Sequence, residues 1–194
     1  MIKKGFADEK VITLRKLYQQ MNRSYDFKKE IAIHDEYYRF LPQRLLNNSV
    51  EIMLPESFID MSENIRDKKY LSLDSRAEVK TSLRFTENFI FQMEEKADDD
   101  LDATAKMIFD TINTNLPQTV FYDGGKSVTD ENLSILWQEY KSFASDGEIY
   151  NFMFLFASSS HIFISTFNSI FTDYSDWKPC LLEIIKTVKL LNET

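Results

Sequence analysis

Residues 132–170, NLSILWQEYKSFASDGEIYNFMFLFASSSHIFISTFNSI, constrain the fold more than any other stretch. Three β-rich runs sit there, over 133–143, 149–157 and 162–167. Ser145-Asp146-Gly147 separates the first two and Ser158-Ser159-Ser160 the last two, both with turn chemistry. Connections this short join only antiparallel neighbours, so the spacing predicts a three-stranded meander. In the second run Tyr150, Phe152, Phe154 and Phe156 share one face, while Ile149, Met153 and Leu155 share the other. In the third, Phe163 and Phe167 oppose Ile162 and Ile164. A strand with one wet face alternates apolar with polar, and these do not. Burying one such side chain is worth roughly 1.5–3 kcal/mol, so both faces call for cover. Two readings follow: a central strand pair covered on both sides, or a sheet with part of one face left open for a partner.

The rest of the chain supplies the cover. Val50, Ile52 and Leu54 alternate in a strand closed by Pro55, and 58–61 read as a bend or hairpin arm. A short helix over 63–70 opens at Ser62 with acid in its first turn. Strands over 77–83 and 88–93 flank a turn at 84–87. A helix over 101–116 carries the stripe Leu101, Ala105, Ile108, Ile112 and Leu116, and Pro117 stops it. Val120 and Tyr122 begin another strand, with Asp123-Gly124-Gly125 read as a hairpin turn. A last helix runs from Asp173 or Ser175 to Leu191. Pro179 belongs in its first turn, so Ser175 or Asp176 is the expected cap. Its stripe is Trp177, Leu181, Ile184, Val188 and Leu191. Trp177 is expected to be buried and to pin the helix on the sheet. The pattern does not decide between the face of Phe152 and Phe154 and the face of Met153 and Leu155.

Residues 1–47 read differently. Val11, Leu14, Leu17, Tyr18 and Met21 recur at helical spacing between a cap at Asp8 and an end at Asn22, while 25–40 has no clean period. The expected organisation is a partly helical N-terminal extension, 1–47, on a domain over 48–194 that folds without it. The length of 194 residues suits that division. A net charge of −8 argues against nucleic acid and against anionic membrane surfaces. No apolar run approaches the roughly 20 residues of a membrane span. The start, MIKKGFADEK, lacks the apolar core of a signal peptide, and the single Cys180 allows no internal disulfide, so a cytoplasmic protein is expected.

Candidate chemistry is sparse. Asp98, Asp99 and Asp100 lack the glycine and closing acid of a calcium loop, and acids before a helix complement its dipole. His34 and His161 fall in no paired-ligand spacing. Ser158, Ser159 and Ser160 beside His161 lack a nucleophile elbow, and adjacent turn residues seldom align as a triad. Cys180 reads as a core thiol, Glu94 and Glu95 as a solvated cluster, and Asp123-Gly124-Gly125 fits no phosphate loop. No catalytic, cofactor-binding or metal residue is assigned, no cofactor is expected, and the partner-binding residues are unassigned.

With the element order in hand, three stretches resemble PsbP/DcrB-like domains. VEIMLPESFIDM is similar to their opening strand, with Leu54-Pro55 followed by Phe58 and Met61. IRDKKYLSLDSRAEVKTS resembles the segment that follows in bacterial relatives. The stretch from YKSFASDGEIYNF to the helix holding Trp177 and Pro179 resembles their C-terminal half. The resemblance spans about 48–191. It implies an α+β fold, an α/β/α sandwich around a mainly antiparallel sheet. It also implies binding rather than catalysis. The family includes photosystem extrinsic subunits, a Ran-binding import protein and Eag-type chaperones of secreted effectors. It transfers no functional residue, since members bind unlike partners through different surfaces. The expected function is a non-enzymatic protein-binding domain, a chaperone or adaptor for another, secreted or not, protein, with homodimerisation left open. The alternatives are a small-ligand or hydrolytic pocket at the aromatic meander and a toxin-neutralising immunity protein, whose acidic charge suits a basic partner.

Overall fold

A computed structural model describes residues 25–34, 36–71, 73–96, 100–145 and 147–191. The helix expected over 8–21 lies outside them, as do Asp98 and Asp99. In chain order come β1 (Ile31–Ile33), β2 (Glu36–Tyr38), β3 (Phe40–Leu45), β4 (Val50–Pro55) and β5 (Ile59–Asp60). Helix α1 (Glu63–Lys69), β6 (Glu78–Thr81), β7 (Asn88–Glu95) and α2 (Leu101–Asn115) follow. The last part holds β8 (Val120–Val128), β9 (Ser134–Ala144), β10 (Gly147–Ala157), β11 (His161–Ile170), α3 (Tyr174–Ile184) and β12 (Lys189–Leu190). No described helix is long and apolar enough to cross a membrane.

The expected meander is β9, β10 and β11, and it is the middle of a seven-stranded antiparallel sheet ordered β5-β6-β7-β11-β10-β9-β8. Both faces of β10 are buried, as its two-sided apolar sequence requires. On one face, Tyr150, Phe152, Phe154, Phe156, Phe163 and Phe167 meet α3 and a small sheet ordered β12-β4-β3. On the other, Met153, Leu155, Leu136 and Tyr140 meet the stripe of α2, with Ala105 buried among them. Met61, Val79 and Ile90 extend this second face toward β6, under Tyr70 and Leu73. The architecture is α+β, with a mainly antiparallel sheet between helical layers.

Trp177 is buried, and the face it chooses is that of Phe152 and Phe154. Its ring lies 4.8 Å from that of Phe167 and 5.4 Å from that of Tyr38. Asp100 caps α2 as expected, its carboxylate accepting the Ala103 N–H at 2.7 Å. Ser62 stands at the N-cap of α1 without a side-chain bond to the helix.

Three expectations are corrected. Residues 31–45 are not an appendage. Ile31, Ile33, Tyr38, Phe40 and Leu45 lie in the main core, and β3 pairs with β4 along its whole length. The apolar period was broken there because the strands are short and joined by left-handed residues: His34, and then Leu46, Asn47 and Asn48 in succession. Asp123-Gly124-Gly125 is not a turn but the middle of β8, where a bulge shifts the register against β9. The glycines permit close approach there: a Cβ on Gly124 would lie 2.4 Å from Gln138 Oε1, and one on Gly125 would meet the Trp137 ring at 3.3 Å. The last helix starts at Tyr174, within the expected range but ahead of the expected cap at Ser175 or Asp176, and ends at Ile184 rather than Leu191, so Pro179 falls in its second turn. A 3₁₀ turn over Ile185–Thr187 leads into β12, which pairs with β4. Thr187 makes this exit. Its Oγ1 donates to the Ile184 carbonyl at 2.7 Å and accepts the Met53 N–H at 3.0 Å.

Candidate functional site

Among the described residues, cover on the face under α3 is not complete. Cross-strand pairing sets Lys141 beside Tyr150 and Glu139 beside Phe152, and sets Val120 of the outermost strand beside Lys141. At this end of the sheet Val120, Tyr122 and Phe143 are exposed, and so is Tyr174 at the start of α3. Tyr122 and Phe171 stack with ring centroids 5.9 Å apart, and Phe171 and Tyr174 stack at 5.3 Å. The Lys141 ammonium sits 4.9 Å from the centre of the Phe171 ring and 5.2 Å from that of Phe143, while bonding Glu148 at 2.8 Å. The result is an aromatic rim with one cation already lodged on it.

Beneath the rim lies a cavity of about 120 Å³, lined by Tyr122, Glu139, Tyr150, Phe171, Tyr174 and Lys178. Its floor is ionic. Glu139 is only 2% exposed, on a strand whose other buried side chains are Ile135, Leu136 and Tyr140. The Tyr150 hydroxyl donates to its Oε2 at 3.0 Å, and Lys178 bonds its Oε1. Lys178 also reaches Asp123 Oδ2 at 2.9 Å and lies 5.8 Å from the centre of the Trp137 ring. Burial works against the Lys178 charge, but its bonds to Glu139 and Asp123 prevail and raise its pKa above the ordinary lysine value. The bond from Lys178 holds the Asp123 carboxyl below the usual range. Burial, then the Glu139 carboxylate, pushes the Tyr150 phenol well up, so it stays a donor at neutral pH. One ammonium thus serves two carboxylates, and the floor carries a net negative charge.

Sequence reasoning missed this group because its members are far apart in the chain. Asp123, Glu139 and Lys178 come from β8, β9 and α3, and no local spacing announces them. The available signal was Glu139 itself, an acid between Trp137 and Tyr140 within a run read as a strand of a covered sheet.

Compared by sequence, the chain matches no family model and no curated protein. Compared by structure, it is similar to PsbP (CyanoP) of Synechocystis sp. PCC 6803, with a TM-score of 0.60 at 11% identity, over 78% of this chain and 92% of that one. The PsbP-like fold is the one this chain has. The Saccharomyces cerevisiae Ran-binding protein Mog1p shares it, with a TM-score of 0.53 at 11% identity over 80% of this chain and 97% of that one. LpqN of Mycobacterium tuberculosis, involved in cell envelope biogenesis, follows at 0.50 and 12% identity, over 82% and 95%. The likeness read in residues 48–191 therefore holds at the level of the fold.

Within the PsbP-like domain the residues singled out from sequence lie apart from the open end. Ser158 Oγ accepts the N–H of Ser160 and of His161, the second at 3.0 Å, which closes the turn between β10 and β11. Ser160 Oγ lies 2.8 Å from His161 Nδ1. These side chains border a hollow of about 280 Å³ with Ser49, Phe163, Leu190 and Leu191. A larger hollow, about 430 Å³, runs along the outer side of α2, and α2 is its only described wall. His34 pairs with Asp176 at 3.0 Å, tying the β1–β2 hairpin to α3. Cys180 is fully buried, and burial raises its thiol far above the range of a reactive cysteine.

Proposed function

We propose that the protein is a non-enzymatic protein-binding module, a chaperone or adaptor for another protein, and that it holds its partner at the open end of the large sheet. The observation that carries this is the cluster of exposed aromatic side chains, Tyr122, Phe143 and Tyr174, on a sheet whose β10 is buried on both faces. Tyrosine and phenylalanine with a charged border are the composition of protein interfaces. Among the described residues the adjoining strand β8 ends the sheet, and a partner strand can add to such an edge. Mog1p, described as Ran-binding, gives a PsbP-like precedent for a protein partner. The cavity at the open end, about 120 Å³, is small against the roughly 300–1,000 Å³ of sites that enclose a small molecule, which disfavours the ligand-pocket alternative. The cytoplasmic setting belongs to the same proposal.

The test is site-specific photo-crosslinking in the native cell. A photoreactive residue in place of Tyr122 is expected to give one discrete adduct, and the same residue in place of Met107 on the outer side of α2 is expected to give none. An adduct of twice the chain mass identifies the partner as a second copy. Equal capture from both positions, or from neither, contradicts the proposal.

A further inference from the structure

We infer that the cavity at the open end is an anchor pocket for one arginine side chain of the partner. The inference rests on the protein-binding reading and gives that partner a chemistry. Sign decides first. The floor holds two carboxylates, Glu139 and Asp123, with Lys178 shared between them, so an incoming anion meets net repulsion. An apolar group would cover the Asp123–Lys178 pair without replacing its lost hydration. A cation gains at both levels, from the carboxylates below and from the ring faces around it.

Shape decides next. About 120 Å³ is the room of roughly four waters at ~30 Å³ each, enough for the end of one side chain and no more. The rings of Phe171 and Tyr174 lie within 18° of parallel, and those of Phe171 and Tyr122 within 28°. Tyr122 and Tyr174, the outer members of this stack, are exposed, and a planar guanidinium lies flat on such rings over more area than a compact, strongly hydrated ammonium. Asp123 completes the site. Its side chain is 62% exposed, so oxygen lone pairs beside Lys178 remain open to the fork of a guanidinium. The chain already uses this surface for cations of its own: Lys141 lies over Phe171, and Lys178 lies over Trp137.

The full-length chain titrated with N-acetyl-arginine amide, followed by the NMR signals of the Trp137 indole and nearby tyrosine rings, tests the inference. Saturable shifts are expected. N-acetyl-norleucine amide and N-acetyl-glutamate amide are each expected to bind at least about tenfold more weakly, the scale of one good cation–π contact. Y174A, at an exposed position, is expected to fold and to lose about tenfold in arginine affinity. E139Q reports on the floor. Where it does not fold, D123N, at the exposed end of the same network, replaces it and is expected to weaken arginine in the same direction. Absence of saturable shifts, norleucine or glutamate binding as well as arginine, lysine amide matching arginine, or an unaffected Y174A would each overturn the inference. An adduct at Tyr122 without arginine binding would overturn the pocket and leave the protein-binding reading standing. Arginine binding without an adduct would overturn that reading and leave a site for a free guanidinium ligand.

Discussion

Trp177 shows how far single residues were legible. Its place on a helical stripe marked it as buried, and it is, at 2% exposure. Which face it met was not legible, because both faces of β10 are apolar and only the path of the chain chooses. Contact with Phe167 and Tyr38 now makes the role specific. Trp177→Ala is expected to cost roughly 3–5 kcal/mol, seen as a lower denaturation midpoint, as large-to-small core changes do. An unchanged midpoint would return Trp177 to the surface. A second residue-scale expectation concerns alkali. Burial raises the Cys180 thiol and the Tyr150 phenol, and both are neutral when folded. As pH rises the unfolded chain gives up these protons first, so their contribution is whole below the unfolded values, ~8.5 for cysteine and ~10 for tyrosine, and declines above them. The urea midpoint should fall from about pH 8.5 upward. Cys180→Ala should flatten the first part of that decline and Tyr150→Phe the part above about pH 10. A midpoint constant through that range would show that neither group is held as described.

At the scale of elements, long two-sided strands were the easiest to read and short or polar features the hardest. Strands β9, β10 and β11 fell where their apolar runs predicted, β9 shifted by one residue and β10 and β11 extended by a few. Strands β1 and β2 were missed, since three residues cannot display a period, and β3, FLPQRL, was missed because Pro42 and the adjacent Phe40-Leu41 break the alternation. The Asp123-Gly124-Gly125 stretch was misread because two glycines signal a turn in sequence. Here they clear room for Gln138 and Trp137 of the neighbouring strand. One polar feature crosses the sheet unannounced. Thr81, Asn88, Asn168 and Asn151 occupy paired positions on β6, β7, β11 and β10, all buried. Thr81 donates to Asn88 Oδ1 at 2.7 Å, and Asn88 Nδ2 donates to Asn168 Oδ1 at 2.9 Å. Tyr70 also donates to Asn168 Oδ1, and burial pushes its phenol up to about 12. Each of these residues looks like an ordinary polar interruption until its partner is known. Asn168→Ala leaves the buried Asn88 amide and the part-buried Tyr70 hydroxyl without their acceptor and is expected to cost about 1–3 kcal/mol, chiefly through the buried amide. Denaturant melts check it, and a loss below about 0.5 kcal/mol would mean the row is dispensable.

For the whole molecule, the fold class and the antiparallel sheet were legible, while the boundary at residue 48 cuts through packed structure. Removing 1–47 would strip Ile31, Ile33, Tyr38, Phe40 and Leu45 from the main core. At roughly 1.5–3 kcal/mol each, that loss rivals a typical total stability of about 5–15 kcal/mol. A chain beginning at residue 48 is therefore expected to show no cooperative unfolding transition, and a sharp transition would restore the boundary. The open end was legible only as one of two alternatives, because sequence pattern shows that faces are apolar but not where the layers above them stop. α3 begins at Tyr174, and its entry leaves the first part of β8 and the last part of β9 uncovered. This end, uncovered among the described residues, is proposed to exist for a partner and not for the fold. It is tested most directly by the double variant Tyr122→Ser, Phe143→Ser, carrying a photoreactive residue at the exposed Val120 of the same end of the sheet. An unfolding free energy within about 0.5 kcal/mol of the parent, as for exposed positions, is expected together with loss of the partner adduct. A large fall in stability, or an adduct that persists undiminished, would contradict it.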